Sequence, residues 1–254
     1  MSGALELDNA QLAQFAQDGY LLVRDMFDRN VMSNIVRWTN EVVALPEVRG
    51  QHMAYYEDHL REPGRRVLSR IENFCPFHTD FDALLRAGVV SRCVEQLLGE
   101  TAVLFKEKIN FKMPGSDGFK AHQDVQAGWD SYAPMHVTLL LSIDDATPEN
   151  GCLEIAPGQH RQGLLGPMWE PLPDPLQGVR YEACPTSAGD AVFFDSFIPH
   201  RSFPNLTNAP RRVLYITYNG VSQGDHRAQY YADKRANFPP ECERQPGQQY
   251  AFKV

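Results

Sequence analysis

Up to about residue 100 the apolar residues of this chain recur at helical spacing; beyond it they fall in short runs separated by turns. Leu12, Phe15 and Ala16 make one face of a short helix that Asp8 or Asn9 can cap and Gly19 can end. Tyr20 to Phe27 reads as a strand. Asp28 or Asn30 then opens a second helix with Val31, Ile35, Trp38 and Val42 at three- and four-residue spacing, and Pro46 stops it. Residues 47–66 are polar, aromatic and irregular, which predicts a loop or lid. Residues 80–98 predict helix, interrupted at Gly88 and stopped by Gly99.

Thr101 to Phe111, His136 to Asp144, Cys152 to Ile155, Ala191 to Asp195 and Arg212 to Tyr218 predict strands, with PGSDG, PENG, APG, SAGD and PNLTNAP as turns between β segments. In His136 to Asp144, Val137, Leu139, Leu141 and Ile143 share one face, while His136, Thr138 and Ser142 share the other with Leu140. One greasy and one mixed face suit a sheet closing over a polar site. Helices followed by many short strands predict a mainly β fold, a barrel or jelly roll buttressed by helices. With no repeat, low-complexity tract or linker, the chain reads as one domain over 1–254. Helical support lies mainly in 1–100, the β core in about 101–220, and a helix or tail in 221–254.

The 254 residues are enough for a substantial core, and 43% apolar with 22% charged residues is ordinary for a globular chain. A net charge of −8 argues against nucleic acid or an anionic membrane as partner and leaves a small molecule as the expected one. The five cysteines are scattered without a C-x-x-C pair, which fits free thiols better than a disulfide framework or a cysteine zinc site. No run is long and apolar enough to span a bilayer, and MSGALELDNA lacks the basic and apolar regions of a leader, so a cytoplasmic location is expected.

Candidate chemistry centres on His122-Gln123-Asp124 with His200 downstream. Period-two alternation puts His122 and Asp124 on one face of a strand. A distant histidine completes the facial set of two histidines and one carboxylate found in non-haem Fe(II) oxygenases, which leaves metal positions open for chemistry. An H-x-D pair alone is common; here both halves sit at predicted strand ends, where barrel sites cluster. After the turn at 204–210, Arg211 or Arg212 begins the next strand and can clamp a carboxylate in a bidentate way, with Ser202 adding a hydroxyl. Periodicity leaves the choice of arginine open. Asp195 and Asn219 are candidates for orienting the metal ligands.

The run from His122-x-Asp124 through ATPENGCLEIAPGQHRQG to AGDAVFFDSFIPHRSFPNLTNAPRRVLYITYN resembles the phytanoyl-CoA dioxygenase-like family of Fe(II)/2-oxoglutarate oxygenases. The resemblance covers essentially the whole chain and is strongest over 105–220. It implies a double-stranded β-helix, the cupin-like form of the jelly roll, with His122, Asp124 and His200 holding Fe(II). It implies Arg211, rather than Arg212, on the distal carboxylate of the cosubstrate 2-oxoglutarate, assisted by Ser202, with Lys108 as a further cosubstrate contact. The implied reaction uses O2, hydroxylates a C–H bond and releases succinate and CO2. Related halogenases replace the carboxylate at the Asp124 position with a small residue, so its presence disfavours halogenation.

Lys106, Lys108 and Asn110 alternate on one strand face, which fits solvated lysines on an edge or, since the strand leads to the His122 loop, Lys108 and Asn110 facing the cavity; Arg70, Glu72 and Asn73, and Trp129, Asp130 and Tyr132, are further candidates for a pocket wall. Two segments, YYEDHLREPGRRVLSRIENFCPFH and KINFKMPGSDGFKAHQDVQAGWD, resemble the bacterial branch containing 2-aminoethylphosphonate hydroxylases. That resemblance implies a small polar substrate such as an aminophosphonate, with Asn110, Arg70, Asn73, Trp129 and Tyr132 among its contacts. The same iron site can also serve desaturation, epoxidation or cyclisation of another natural-product or amino-acid-like substrate. A non-catalytic metal-binding jelly roll is the alternative of a different class.

Overall fold

The computed structural model describes residues 6–250. The first five residues of the segment read for a leader, and the last four of the tail, lie outside them. Helix α1 (Asn9–Asp18) starts at Asp8, whose carboxylate accepts from Gln11 N while the Gln11 side chain caps back, and it ends on the left-handed Gly19. Strand β1 (Tyr20–Val23) is shorter than its sequence predicts, because the chain turns at Asp25 with φ 48°. Helix α2 (Arg29–Val43) is capped by Asp28.

The predicted loop or lid after it is instead largely a hairpin of β2 (Met53–Asp58) and β3 (Arg66–Glu72). An extra residue at Ser69 breaks the alternation, so Leu68 and Ile71, three apart, pack on the same core. That bulge, and the charged residues of the hairpin, hide these strands from a period-two reading. Helices α3 (Thr79–Arg86) and α4 (Val89–Leu98) divide at Gly88 as expected.

The β region then runs β4 (Ala102–Lys112), β5 (Phe119–His122), β6 (Val137–Ser142), β7 (Leu153–Ile155), β8 (Glu182–Cys184), β9 (Ala191–Asp195), β10 (His200–Ser202) and β11 (Arg211–Gly220), followed by α5 (Arg227–Asn237). β5, β8 and β10 have only three or four residues each, too few for a periodic signal.

Two antiparallel sheets result, of order β1-β9-β6-β11-β4-β3-β2 and β5-β10-β7-β8. This is the expected helix-buttressed jelly roll. The outer face of the large sheet packs on α1 to α4: Phe15, Ile35, Phe81 and Val94 meet Ile109, Leu139, Leu141, Leu214 and Ile216 in the main core. Each such side chain contributes about 1.5–3 kcal/mol by leaving water. The inner face of the same strands carries Leu140, Val192, Phe194 and Val213 against Leu153 and Ile155 of the small sheet. β6 is therefore buried on both faces, and its greasy and mixed sides face helices and cavity respectively.

Asp190, just before β9, ties the turn after β1 to the large sheet. It accepts from Asp25 N at 2.9 Å, Ser187 N at 2.8 Å and Arg24 Nη1 at 2.7 Å. Burial would raise its carboxyl, but the backbone donors and Arg24 outweigh that and hold it below the usual range. Asp190→Ala should cost about 2–4 kcal/mol in urea unfolding, because it strands two backbone donors. Folding lowers the Asp190 pKa, so its contribution is full above the unfolded-state value of about 4 and fades as pH falls through the lower folded-state value. The stability gap between wild type and variant should therefore shrink in acid; a gap that widens below pH about 4 would contradict this.

Candidate metal centre and active site

The strand β5 ends at His122, and β10 begins at His200, directly opposite it in the antiparallel register. The two imidazoles lie 4.3 Å apart, centroid to centroid. Asp124 is not in the strand; it opens the helical turn that follows. Gln123 between them is extended, at φ −110° and ψ 136°, so the alternation carries one residue past the strand and His122 and Asp124 still converge. Gln123 itself points the other way and is buried: its amide donates to Gly163 O and Phe197 O, and its carbonyl accepts from Leu165 N.

One donor atom from each of His122, Asp124 and His200 lies within 4.8 Å of the others, a spacing that one metal ion can bridge. Each histidine Nε2 is 3.9 Å from Asp124 Oδ1. The Nδ1 atoms are anchored on backbone carbonyls, that of His122 on Lys120 O at 2.7 Å and that of His200 on Ile198 O at 3.1 Å. Each Nδ1–H therefore donates outward and leaves an Nε2 lone pair facing the centre. Burial lowers both imidazoles, His122 to about 3, which keeps them in the neutral form that ligates metal. Burial would raise Asp124, yet His200, Lys108 and His122 keep its carboxyl below the usual range. The donor set fits Fe(II).

Asp195 and Asn219 do not orient these ligands. Asp195 accepts from Phe197 N and caps the turn before His200, and Asn219 donates to Gly220 O and Gly224 O. Thr138, inward on β6, has the position instead: its hydroxyl lies 3.3 Å from Asp124 Oδ2 and 3.0 Å from Thr217 Oγ1.

The two arginines separate cleanly. Arg212 faces outward and makes two hydrogen bonds of 2.8 Å to the two oxygens of Asp144. Arg211 is 2% exposed, on the inward face, and among the described residues nothing hydrogen-bonds its Nε. A buried guanidinium with an idle donor calls for an anion.

A cavity of about 30 Å³ beside the triad is lined by Lys108, Asn110, Phe119, Trp129, Thr138, Ser202 and Tyr215 among others. It shares Phe119 and His122 with an outer chamber of about 560 Å³, where Arg70 lies with Tyr55, Tyr56, Glu57, Asp58 and Asp117. Lys108, Asn110, Trp129, Ser202 and Arg70 thus gather around the site. Tyr132 does not: its hydroxyl bonds Asp233 and its ring packs on Phe105 and Tyr230. Asn73 sits in a turn at φ 56° and accepts from Arg227, and Asp130 is exposed. Local polarity suggested all three, but a turn and a C-terminal helix claim two of them. Sequence reasoning missed Thr138, Tyr215 and Lys112; the last continues the alternation of Lys106, Lys108 and Asn110 by one step past the predicted strand end.

Residues 15–213 match the profile of the family described as phytanoyl-CoA dioxygenase (PhyH). The chain is 39% identical to a methylphosphonate hydroxylase of Gimesia maris, over 91% of this chain and 88% of that one. It is 37% identical to a 2-aminoethylphosphonate dioxygenase of uncultured bacterium HF130_AEPn_1, over 95% and 92%. This chain belongs to the phytanoyl-CoA dioxygenase family. It is an Fe(II)- and 2-oxoglutarate-dependent dioxygenase, with O2 as oxidant and a small molecule as substrate. The fold agrees: EctD from S. alaskensis, solved with 2-oxoglutarate and 5-hydroxyectoine, superposes with a TM-score of 0.72 at 20% identity, over 100% of this chain and 89% of that one. Among the described residues no helix is long and apolar enough to cross a membrane.

In this family member Thr138→Val keeps shape but removes the hydroxyl at Asp124. Fe(II) affinity, or activity at limiting iron, should fall about tenfold. His122→Ala and Asp124→Ala should abolish Fe(II) binding in anaerobic titration; tight Fe(II) binding by either would remove the triad from the site.

Proposed function

We propose that this dioxygenase hydroxylates a small phosphonate, with 2-aminoethylphosphonate and its N-methylated relatives as the leading candidates. The carrying observation is the inward face of β4. The Lys106 ammonium lies over Trp129 and Tyr230, and that of Lys108 over Tyr215. Neither forms a salt bridge among the described residues. The nearby buried carboxylate, Glu72, is already held by Arg70 and Lys234. Asn110 beside them is 4% exposed and lines the same cavity, where its amide N–H can donate. Burial and the neighbouring Lys106 push Lys108 down to about 8. Buried cations without a carboxylate of their own favour an anionic ligand.

In this reading His122, Asp124 and His200 hold Fe(II), and Arg211 with Ser202 takes the distal carboxylate of 2-oxoglutarate. With 2-oxoglutarate and O2 the iron supplies oxidation of a C–H bond to an alcohol, coupled to formation of succinate and CO2. Lys108 serves both anions, the cosubstrate and the substrate head group, and Asn110 and Arg70 complete the cradle for the phosphonate. Trp129 and Phe119 cover the cavity and limit water. The Glu57, Asp58 and Asp117 carboxylates of the outer chamber suit an ammonium group, which favours an aminophosphonate over methylphosphonate. The scattered free thiols support a reducing compartment, and we place the enzyme in the cytoplasm.

The experiment is substrate-stimulated succinate release with 2-aminoethylphosphonate, its N-methylated forms, methylphosphonate, and taurine as the sulfonate isostere. The aminophosphonates should stimulate most and taurine least, with a hydroxylated phosphonate as product. No response to any phosphonate would sink the substrate class; a response confined to methylphosphonate would remove the ammonium subsite. Lys108→Met should raise the phosphonate KM about tenfold or more, the loss of one charge-assisted contact.

A further inference from the structure

Lys112 ends β4 on its inward face, paired in register with Arg211. It is 3% exposed. Its ammonium donates to Ser202 Oγ at 2.7 Å, to Phe203 O at 2.5 Å and to Gly151 O at 3.5 Å. All three of its protons are thereby directed at oxygens of the β10 end and the turn before β7, and none at a carboxylate. Gly151 makes this approach possible: it sits at φ 75°, and a Cβ there would lie 2.0 Å from Phe203 O and 3.0 Å from Lys112 Nζ.

An ammonium has three protons and no lone pair. Burial and the neighbouring Arg211 push Lys112 down to about 7, and an anion in the cavity favours its charged form. In that form Ser202 Oγ accepts from Lys112, and the hydroxyl proton of Ser202 has to go elsewhere. Ser202 lines the cavity beside the triad, so that proton is available to an anion in the cavity. Arg211, next to Lys112, brings the idle Nε donor.

We propose that Lys112 is a positioning residue for the cosubstrate: it fixes Ser202 as a hydrogen-bond donor, so that Ser202 and Arg211 together take the distal carboxylate of 2-oxoglutarate. The proposal rests on the Arg211–Ser202 clamp put forward above. Lys112 also pins the strand end that carries His200, two residues from Ser202.

The test is anaerobic titration of the Fe(II) enzyme with 2-oxoglutarate, following the visible charge-transfer band of the chelate to obtain a dissociation constant. Lys112→Met and Ser202→Ala should each weaken 2-oxoglutarate about tenfold, the value of one charge-assisted hydrogen bond. The double variant should be no weaker than about the worse single one, because one residue acts through the other. Lys112→Arg, again a donor without a lone pair, should stay within about threefold of wild type. The phosphonate KM should hardly move in any of them, whereas a merely structural role would shift it together with the melting temperature. If methionine prevents folding, Lys112→Leu, likewise without a donor, is the second probe, and wild-type affinity in that variant would overturn the proposal. Unchanged affinity in Lys112→Met beside a weakened Ser202→Ala, or effects that multiply in the double variant, would overturn the role of Lys112 alone. Unchanged affinity in both Arg211→Ala and Ser202→Ala would overturn the clamp and this proposal together.

Discussion

The antiparallel pairing of β10 with β5 is the constraint on which the site depends. It sets His200 opposite His122, although 78 residues separate them, and the two backbone carbonyls at Lys120 and Ile198 then turn both rings the same way. Because side chains alternate along a strand, a slip of one residue would aim one imidazole away from the centre. Gln123 guards against such a slip from the side. It is buried on the far side of the chain from the metal ligands and bonds three backbone groups of the loops around it. The metal centre is therefore a consequence of strand register, and the helical turn at Asp124 only finishes it.

The large sheet serves two environments with one set of strands. In β11, Leu214, Ile216 and Tyr218 enter the helix-facing core while Arg211, Val213, Tyr215 and Thr217 look inward. In β4, Ile109 and Phe111 face the helices, and Lys106, Lys108, Asn110 and Lys112 face in. The outward faces are mainly apolar and bind the helices chiefly by area, with Glu107, which accepts from Cys75 N, and Tyr218, which donates to Leu85 O, as polar exceptions. The inward faces carry buried charge, which costs free energy unless an opposite charge or hydrogen bonds meet it. Glu72 meets some of it by pairing with Arg70 and Lys234. What stays unmatched lies near Lys108 and Arg211.

The β2–β3 hairpin and α5 extend the jelly roll on its β4 side. β3 pairs with β4 at Arg70, Ile71 and Glu72, and α5 lays Tyr230, Tyr231 and Lys234 across the same region. Arg227 at the start of α5 forms an ion pair with the buried Glu107, and Tyr231 bonds the Glu107 backbone. Residues beyond 213, outside the stretch matched by the family profile, thus supply part of the wall near the site. A wall built from such additions can change between relatives while the metal ligands stay in place, which is how one centre can serve different substrates.

The sequence by itself located the two helix starts to within a residue or two, at Asp8 or Asn9 and at Asp28 or Asn30, together with the break at Gly88, the long strands and the H-x-D signature, because each depends on neighbours a few residues away. The resemblance carried by the runs around 122–124, 146–163 and 188–219 determined the family, the partner histidine and the arginine on the inward face. Only the tertiary structure decided what depends on pairing partners. It showed that 53–72 is a hairpin, that the three short strands β5, β8 and β10 exist, and that Thr138 stands behind Asp124. It also separated the polar residues that face the cavity, Lys108, Asn110 and Arg70, from Asn73, Asp130 and Tyr132, which do not. The physical reason is the same throughout. Local periodicity tells which residues share a face, but the partner strand or helix decides whether that face meets solvent, core or cavity.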